Sequence, residues 1–194
     1  MKKLIAIISL AIICSCSPVE EKTKETQMHA DHSQTLDKGA HQPKSKSPKQ
    51  MTMTTIEGNH IHIEYHSPSM RGRKIFGGLV AYNEVWVTGA HNATSISFTK
   101  DLEISGKKIE AGKYALFTIP DQKEWTVIIN KNWEQHLADD YKQEEDILRF
   151  KVIPTIVDTP RESLTYKIEN LDDLEGELAI SWENLAIKFI IKNI

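Results

Sequence analysis

Short runs in which apolar and polar residues alternate, separated by turns, constrain the fold of this 194-residue chain more than any other feature. The segment 148–152 alternates Leu, Phe and Val with Arg and Lys, and the segment 178–182 alternates Leu, Ile and Trp with Ala and Ser. A period of two with one polar face is typical of antiparallel strands. The pattern predicts an all-β fold, a single antiparallel β-sandwich of about ten short strands.

The predicted strands end at turn residues or prolines. They are 51–56, 59–66, 94–98, 102–104, 107–109, 113–119, 125–129, 146–153, 164–168, 177–182 and 186–191. The first two flank Glu57-Gly58 and predict a hairpin. We expect a turn at Glu183-Asn184-Leu185 between the last two. At most one short helix is expected, over 133–141, with Asn132 as its N-cap.

The N-terminal segment has the layout of a signal peptide. Two lysines precede an apolar run over 4–13, which is too short to span a bilayer but typical of a cleaved signal. The following Ile13-Cys14-Ser15-Cys16 resembles the lipobox of bacterial lipoproteins. The resemblance implies a lipoprotein signal peptide over 1–15, cleavage after the small Ser15 and lipidation of Cys16. We therefore expect a protein of the gram-negative cell envelope, anchored in the outer membrane and facing the periplasm or the cell surface.

Two further regions follow the predicted lipid anchor. Residues 16–50 contain no aromatic side chain and few apolar ones, which predicts a disordered tether. Residues 51–194 are long enough for one domain with its own core. The formal net charge is -3, and the basic residues are interspersed with carboxylates. We therefore expect the lipid bilayer as a partner, and no nucleic acid.

Four segments of the predicted domain, 67–80, 84–94, 106–120 and 124–131, resemble the bacterial family of domains of unknown function numbered twenty-nine eleven. The resemblance extends from about Met51 to Ile194 and implies a secreted or lipid-anchored β-rich domain with no known activity. The family usually reads Trp-Arg-Thr-Gly-Ala-Asn-Glu where this chain has Trp-Val-Thr-Gly-Ala-His-Asn over 86–92. An Arg–Glu pair of the family is therefore replaced here by Val87 and Asn92.

Two glycine-containing segments contain side chains suited to ligand binding. Glycines allow backbone N–H groups to approach a ligand, guanidinium groups suit carboxylate or phosphate, and an indole can form an aromatic wall. The candidate residues are Arg71, Arg73, Lys74, Trp86, Thr88 and His91. They favour a non-enzymatic binding module for an anionic or carbohydrate small molecule, or for a protein. The alternative is that the arginines pair with surface carboxylates and Trp86 belongs to the core.

A histidine-rich strand suggests a second hypothesis, metal binding. His60, His62, Glu64 and His66 alternate with apolar residues and would share one strand face, with ~6.6 Å between successive positions along the backbone. Copper or zinc could bind there, although a solvated polar face needs no metal. The predicted tether, which we also call the tail, and the residues just after it contain a second candidate for copper or zinc binding: Met28, His29, His32, His41, Met51 and Met53.

A hydrolase with His91 or His136 as general base is the third hypothesis. The chain lacks a Gly-x-Ser-x-Gly elbow and a His-Glu-x-x-His motif. We therefore expect a binding module rather than an enzyme, with no cofactor unless copper or zinc binds as described above.

Overall fold

The computed structural model describes residues 46–194, which form two antiparallel sheets packed face to face. The predictions for the signal peptide, for Cys16 and for the tether up to residue 45 lie outside the described residues. Within residues 46–194, no helix is long and apolar enough to cross a membrane.

Ten strands make up the two sheets. They are β1 (Lys49–Ile56), β2 (Asn59–His66), β3 (Ser95–Phe98), β4 (Leu102–Ile104), β5 (Lys107–Ile109), β6 (Gly112–Ile119), β7 (Trp125–Asn130), β8 (Asp146–Val152), β9 (Thr155–Asn170) and β10 (Glu175–Asn193). The first sheet has the order β1-β2-β3-β6-β7-β8, and the second has the order β5-β4-β10-β9. The prediction of an all-β antiparallel sandwich is confirmed.

The main core lies between the two sheets. Ile61 and Ile63 from β2, Leu116 from β6, and Ile180 and Trp182 from β10 are all buried in it. The predicted alternation is present, because the apolar residues of 178–182 are buried and the basic residues of 148–152 are exposed. Burial of one face of each strand is the physical origin of the period-two pattern.

The β1–β2 hairpin turns at Glu57-Gly58, where both residues have positive φ, 45° and 71°. Such φ values are those of the tight two-residue turns that match the twist of a hairpin. The hairpin begins two residues earlier than predicted, because Lys49 pairs with His66 and its Nζ lies 3.3 Å from Glu64 Oε1. The first strand therefore includes residues 49 and 50, which the sequence analysis assigned to the tether.

The turn predicted at 183–185 does not end the strand. β10 continues through it as one strand, in which Glu183 pairs with Arg161 and Leu185 pairs with Ile156 across two register shifts. Glu183 has a φ of 54° at this irregularity. A β-bulge thus accommodates the turn-like residues without ending the strand.

The predicted helix over 133–141 does not form. Its backbone groups bond to another loop instead: the Ala93 N–H donates to Gln135 O, and the Leu137 N–H donates to His91 O. Leu137 has a φ of 51°, which a right-handed helix does not allow. The helical residues nearest to this segment are a single 3₁₀ turn at Gln143–Glu145.

Candidate functional site

A second, smaller apolar cluster lies on the outer face of the first sheet. Phe117 from β6 and Ile128 from β7 pack there against Val87 and Ala93 of the long β2–β3 connection. Trp133, in the connection between β7 and β8, packs against the same cluster. Two connections therefore cover part of this sheet face, and Val87 occupies a buried apolar position in it.

Beside this cluster, the same face forms an open pocket of about 670 Å³, which we call the sheet-face pocket. Its volume lies within the ~300–1,000 Å³ typical of small-ligand sites. Its walls combine charged, amide and imidazole groups with one indole. The lining residues are Lys49, Glu64, Tyr65, His66, Asn92, Ala93, Ser95, Lys113, Trp133, Glu134, Gln135 and His136.

An ion-paired group forms one wall of the pocket. Glu64 on β2 lies 3.3 Å from Lys49 Nζ and 3.2 Å from Lys113 Nζ. The hydrogen bond from Lys113 is the main cause that lowers the pKa of Glu64, and the bond from Lys49 adds to it against the opposing effect of burial. Lys113 Nζ also lies 4.1 Å from the centre of the Trp133 ring, a cation–π contact. The two cations are therefore already paired with a carboxylate and an aromatic ring.

Gln135, one of the lining residues, has an unpaired acceptor. The side chain is only 6% exposed, and its Nε2 donates to Asn132 O at 2.6 Å. Its Oε1 is buried and has no hydrogen-bond partner. A buried polar atom without a partner costs free energy, about 1–3 kcal/mol, unless a ligand or solvent molecule supplies a donor.

His66 lines the pocket, where its protonated form is disfavoured. Burial is the main cause that lowers its pKa, and the charges of His91 and Lys49 lower the pKa further. The His66 and His91 rings meet edge to face, with centroids 5.1 Å apart. A neutral ring has one nitrogen that donates and one that accepts, so His66 can bind a ligand hydroxyl in either sense.

The predicted anion-binding arginines donate to backbone carbonyl groups. Arg71 Nη2 donates to Lys46 O at 2.7 Å. Arg73 donates from Nε to Met70 O at 2.9 Å and from Nη2 to Ser69 O at 2.8 Å. Lys74, in the same loop, is exposed.

Trp86 and Thr88, from the second predicted segment, support the core. Trp86 stacks on Trp182 with ring centroids 5.9 Å apart, and its Nε1 donates to Gly89 O at 3.3 Å. Thr88 is fully buried, with its hydroxyl 2.9 Å from Thr118 Oγ1. The six predicted ligand-binding residues thus occupy different environments, and His91 contacts the pocket through His66.

The histidines of β2 share one outward face, as predicted, but their rings have different neighbours. His60 Nδ1 lies 3.0 Å from Thr55 Oγ1, and His66 contacts His91. Within residues 46–194, no three or more His, Cys, Asp or Glu side chains are grouped so as to hold a metal ion. The tail candidates Met28, His29, His32 and His41 lie outside the described residues.

His136 is at the edge of the pocket. Its Nδ1 lies 3.2 Å from Asp139 Oδ2, and its backbone forms an isolated bridge with Asn92. Both side chains of the His136–Asp139 pair are mostly exposed, at 62% and 66%. The hypothesis of a hydrolase with His91 or His136 as general base stays a prediction.

Sequence reasoning missed Lys113, Trp133 and Gln135. Lys113 resembles any polar residue of an alternating strand. The run Trp133-Glu134-Gln135-His136, which follows a buried strand, was the available signal, since an aromatic and polar cluster in a connection often marks a binding site.

Comparison with protein families matches residues 47–191 to the family described as proteins of unknown function, DUF2911. No curated protein matches the chain, and no solved structure matches it. The family match covers most of the chain and the whole of the sandwich from β1 into β10. The chain therefore belongs to the DUF2911 family.

Proposed function

We propose that this protein is an envelope lipoprotein, anchored through acylated Cys16, whose β-sandwich is a non-enzymatic module that binds carbohydrate in the sheet-face pocket. The lipobox-like Ile13-Cys14-Ser15-Cys16 supports the anchor. The observation that carries the binding proposal is the pocket lining, in which carboxylate, amide and imidazole groups surround the Trp133 ring and one lining residue, Gln135, has an unpaired Oε1.

Gln135 distinguishes between the two ligand classes suggested by the sequence. An amide oxygen needs a hydrogen-bond donor, which a fully ionised sulfate or phosphate lacks and every sugar hydroxyl has. The pocket's two lysines favour an anion less than their number suggests, because both are paired with Glu64. Carboxylate, amide and imidazole groups around a Trp133 wall complement a ring that carries several hydroxyls.

The test is saturation-transfer NMR on the full chain in detergent, with N-acetylglucosamine, galactose, mannose and glucuronate as probes. Sulfate and phosphate serve as anion controls. We expect at least one sugar to bind, and Gln135→Leu to weaken its binding by about tenfold, since a buried hydrogen bond contributes about 1 kcal/mol or more. Thermal unfolding of each variant checks that the fold is kept.

Arg73→Ala is the matched comparison, because it removes a side chain that the sequence favoured but that bonds only to its own loop. We expect it to leave sugar binding unchanged. If Arg73→Ala abolishes binding while Gln135→Leu does not, the ligand binds at the arginine loop instead. Binding of the anions in place of all four sugars would refute the carbohydrate proposal.

A further inference from the structure

A second group of side chains lies on the outer face of the β1–β2 hairpin, beside the sheet-face pocket but not among its lining residues. It consists of Met51, Met53, His60 and His62. Met51 and Met53 are 50% and 54% exposed, although methionine is normally a core residue. Two thioethers therefore face outward on one strand, opposite a strand of histidines.

The hairpin register brings Met53 against His62. The backbone N–H of His60 donates to Thr99 Oγ1, away from β1, so His60 is a non-hydrogen-bonded partner of Thr55. Hydrogen-bonded and non-hydrogen-bonded pairs alternate along an antiparallel ladder, so Met53 and His62, two positions further on, also form a non-hydrogen-bonded pair. Such pairs have the closest side chains in an antiparallel sheet, with ~4.5 Å between Cα atoms.

Met51 completes the group from the diagonal position. It lies two residues before Met53 on β1, and cross-strand diagonal neighbours are ~7–8 Å apart, within reach of long side chains. Methionine has three rotatable side-chain bonds, so both sulfur atoms can turn toward an ion held by the His62 imidazole. Glu64, which is opposite Met51, is already bonded to Lys49 and Lys113.

His60 is placed to supply a further nitrogen ligand to the same ion. Its Nδ1 lies 3.0 Å from the Thr55 hydroxyl. In the tautomer in which Nδ1–H donates to that hydroxyl, the Nε2 lone pair is free to act as a further ligand. His60 and His62 are two apart on β2 and share the outward face.

Two neutral thioethers and an imidazole are soft ligands that favour a monovalent soft ion. Thioether sulfur selects Cu(I), whereas Zn²⁺ in proteins is held by thiolate, imidazole and carboxylate. We propose that Met51, Met53 and His62 form a surface site for a soft monovalent metal ion, Cu(I) or its analogue Ag(I). This site is independent of the carbohydrate proposal.

The test uses Ag(I), which needs no reductant, on the full chain in detergent with Cys14→Ser and Cys16→Ser to remove competing thiols. The methionine methyl groups carry ¹³C, and the chain contains five methionines, so each signal can be assigned by substitution. We expect the Met51 and Met53 signals to shift and to saturate near one equivalent of Ag(I). The partly buried Met70 should not shift. Zn²⁺ added at the same concentration should leave the methionine signals unchanged.

Competition with a Cu(I) chelator under ascorbate then measures the affinity. Loss of an outer-shell partner already costs roughly 10–100-fold in metal affinity, so we expect Met51→Leu with Met53→Leu to cost at least about 100-fold. Leucine conserves most of the volume and keeps the hairpin folded. His62→Ala should weaken binding as well.

Met28→Leu removes a thioether from the tail and is the matched control, which should leave the affinity unchanged. If Met28→Leu lowers the affinity and the hairpin double variant does not, the proposal is overturned in favour of the tail. It is equally overturned if Ag(I) shifts neither Met51 nor Met53, or if Zn²⁺ binds the hairpin as tightly as Cu(I).

Discussion

Three residues with positive φ lie in the β2–β3 and β7–β8 connections, which contribute to the sheet-face pocket. Thr88, His91 and Leu137 have φ values of 51°, 61° and 51°. A β-branched residue such as Thr88 rarely adopts this conformation, and such strain costs about 1–3 kcal/mol. The surroundings hold it in place, because its carbonyl accepts hydrogen bonds from Thr94 Oγ1 at 3.0 Å and from Tyr166 OH at 2.7 Å.

His66 predicts how stability depends on pH. Its pKa is lower in the folded protein than the ordinary value near 6.5, chiefly because of burial, so the unfolded chain binds its proton more readily. Its contribution to the free energy of unfolding is therefore fully present above about pH 7 and is lost as the pH falls from about 6.5 through the lowered pKa. We expect His66→Gln to flatten the decline in stability between pH 7.5 and 5.5, measured by urea unfolding.

A single titrating side chain can change the pH dependence of the free energy of unfolding by at most about 1.4 kcal/mol per pH unit. Glu64, the carboxylate beside His66, titrates below this range because its pKa is lowered by Lys113. An unchanged slope for His66→Gln would refute the assignment.

At the scale of elements, the β7–β8 connection depends on one buried asparagine. Asn130 is fully buried at the end of β7. Its Nδ2 donates to Lys142 O at 3.0 Å and to Asp146 Oδ1 at 2.8 Å, and its Oδ1 accepts from the Asn132 N–H at 2.8 Å. These bonds close the connection that holds Trp133 and Gln135 over the sheet.

We expect Asn130→Ala to lower the free energy of unfolding by roughly 1–3 kcal/mol, because it removes three partly buried hydrogen bonds, to Lys142 O, Asp146 Oδ1 and the Asn132 N–H. The variant should also weaken any ligand of the sheet-face pocket, since Gln135 loses its support. Urea unfolding and ligand titration measure the two effects.

Asn132→Ala in the same connection is the matched control. Asn132 bonds to Asn130 and Gln135 through its backbone N–H and carbonyl, so this change should stay within about 0.5 kcal/mol of wild type. Equal effects of the two substitutions would contradict the role given to Asn130.

At the scale of the whole molecule, a pair of asparagines connects the two sheets. Asn59 at the start of β2 donates from Nδ2 to Asn193 Oδ1 at 2.9 Å, near the end of β10. Asn59 Oδ1 also accepts from the backbone N–H groups of Thr99 and Lys100, at 2.9 and 3.0 Å. Both asparagines are buried, so their pairing joins residues 134 positions apart in the chain.

A double-mutant cycle of Asn59→Ala and Asn193→Ala tests this connection. We expect each single change to destabilise the protein and the pair to couple by about 0.5–3 kcal/mol, as contacting residues in one hydrogen-bond network do. Thr165→Ala, on the exposed face of β9, combined with Asn59→Ala should show additive effects. A coupling energy near zero between the two asparagines would contradict their role in joining the sheets.

The alternation of residues by itself determined the sandwich class, the β1–β2 hairpin and the bounds of most strands, because these depend on neighbours two positions apart and on local turn chemistry. Local patterns gave wrong predictions where contacts between distant residues determine the backbone: the turn predicted at 183–185 is a bulge in β10, and the helix predicted over 133–141 does not form. That helix failed because its backbone bonds to the loop at His91, a partner invisible at helical spacing.

Only the tertiary structure decided the candidate site. Lys113, Trp133 and Gln135 belong to β6 and to the β7–β8 connection, and they meet Glu64 of β2 because the first sheet places β3 between β2 and β6. The sequence showed the histidines and methionines but not which of them are neighbours. The hairpin register decides this and places Met53 opposite His62. Period and turns are encoded in adjacent residues, whereas a site depends on which strands become neighbours, and that depends on how the whole core packs.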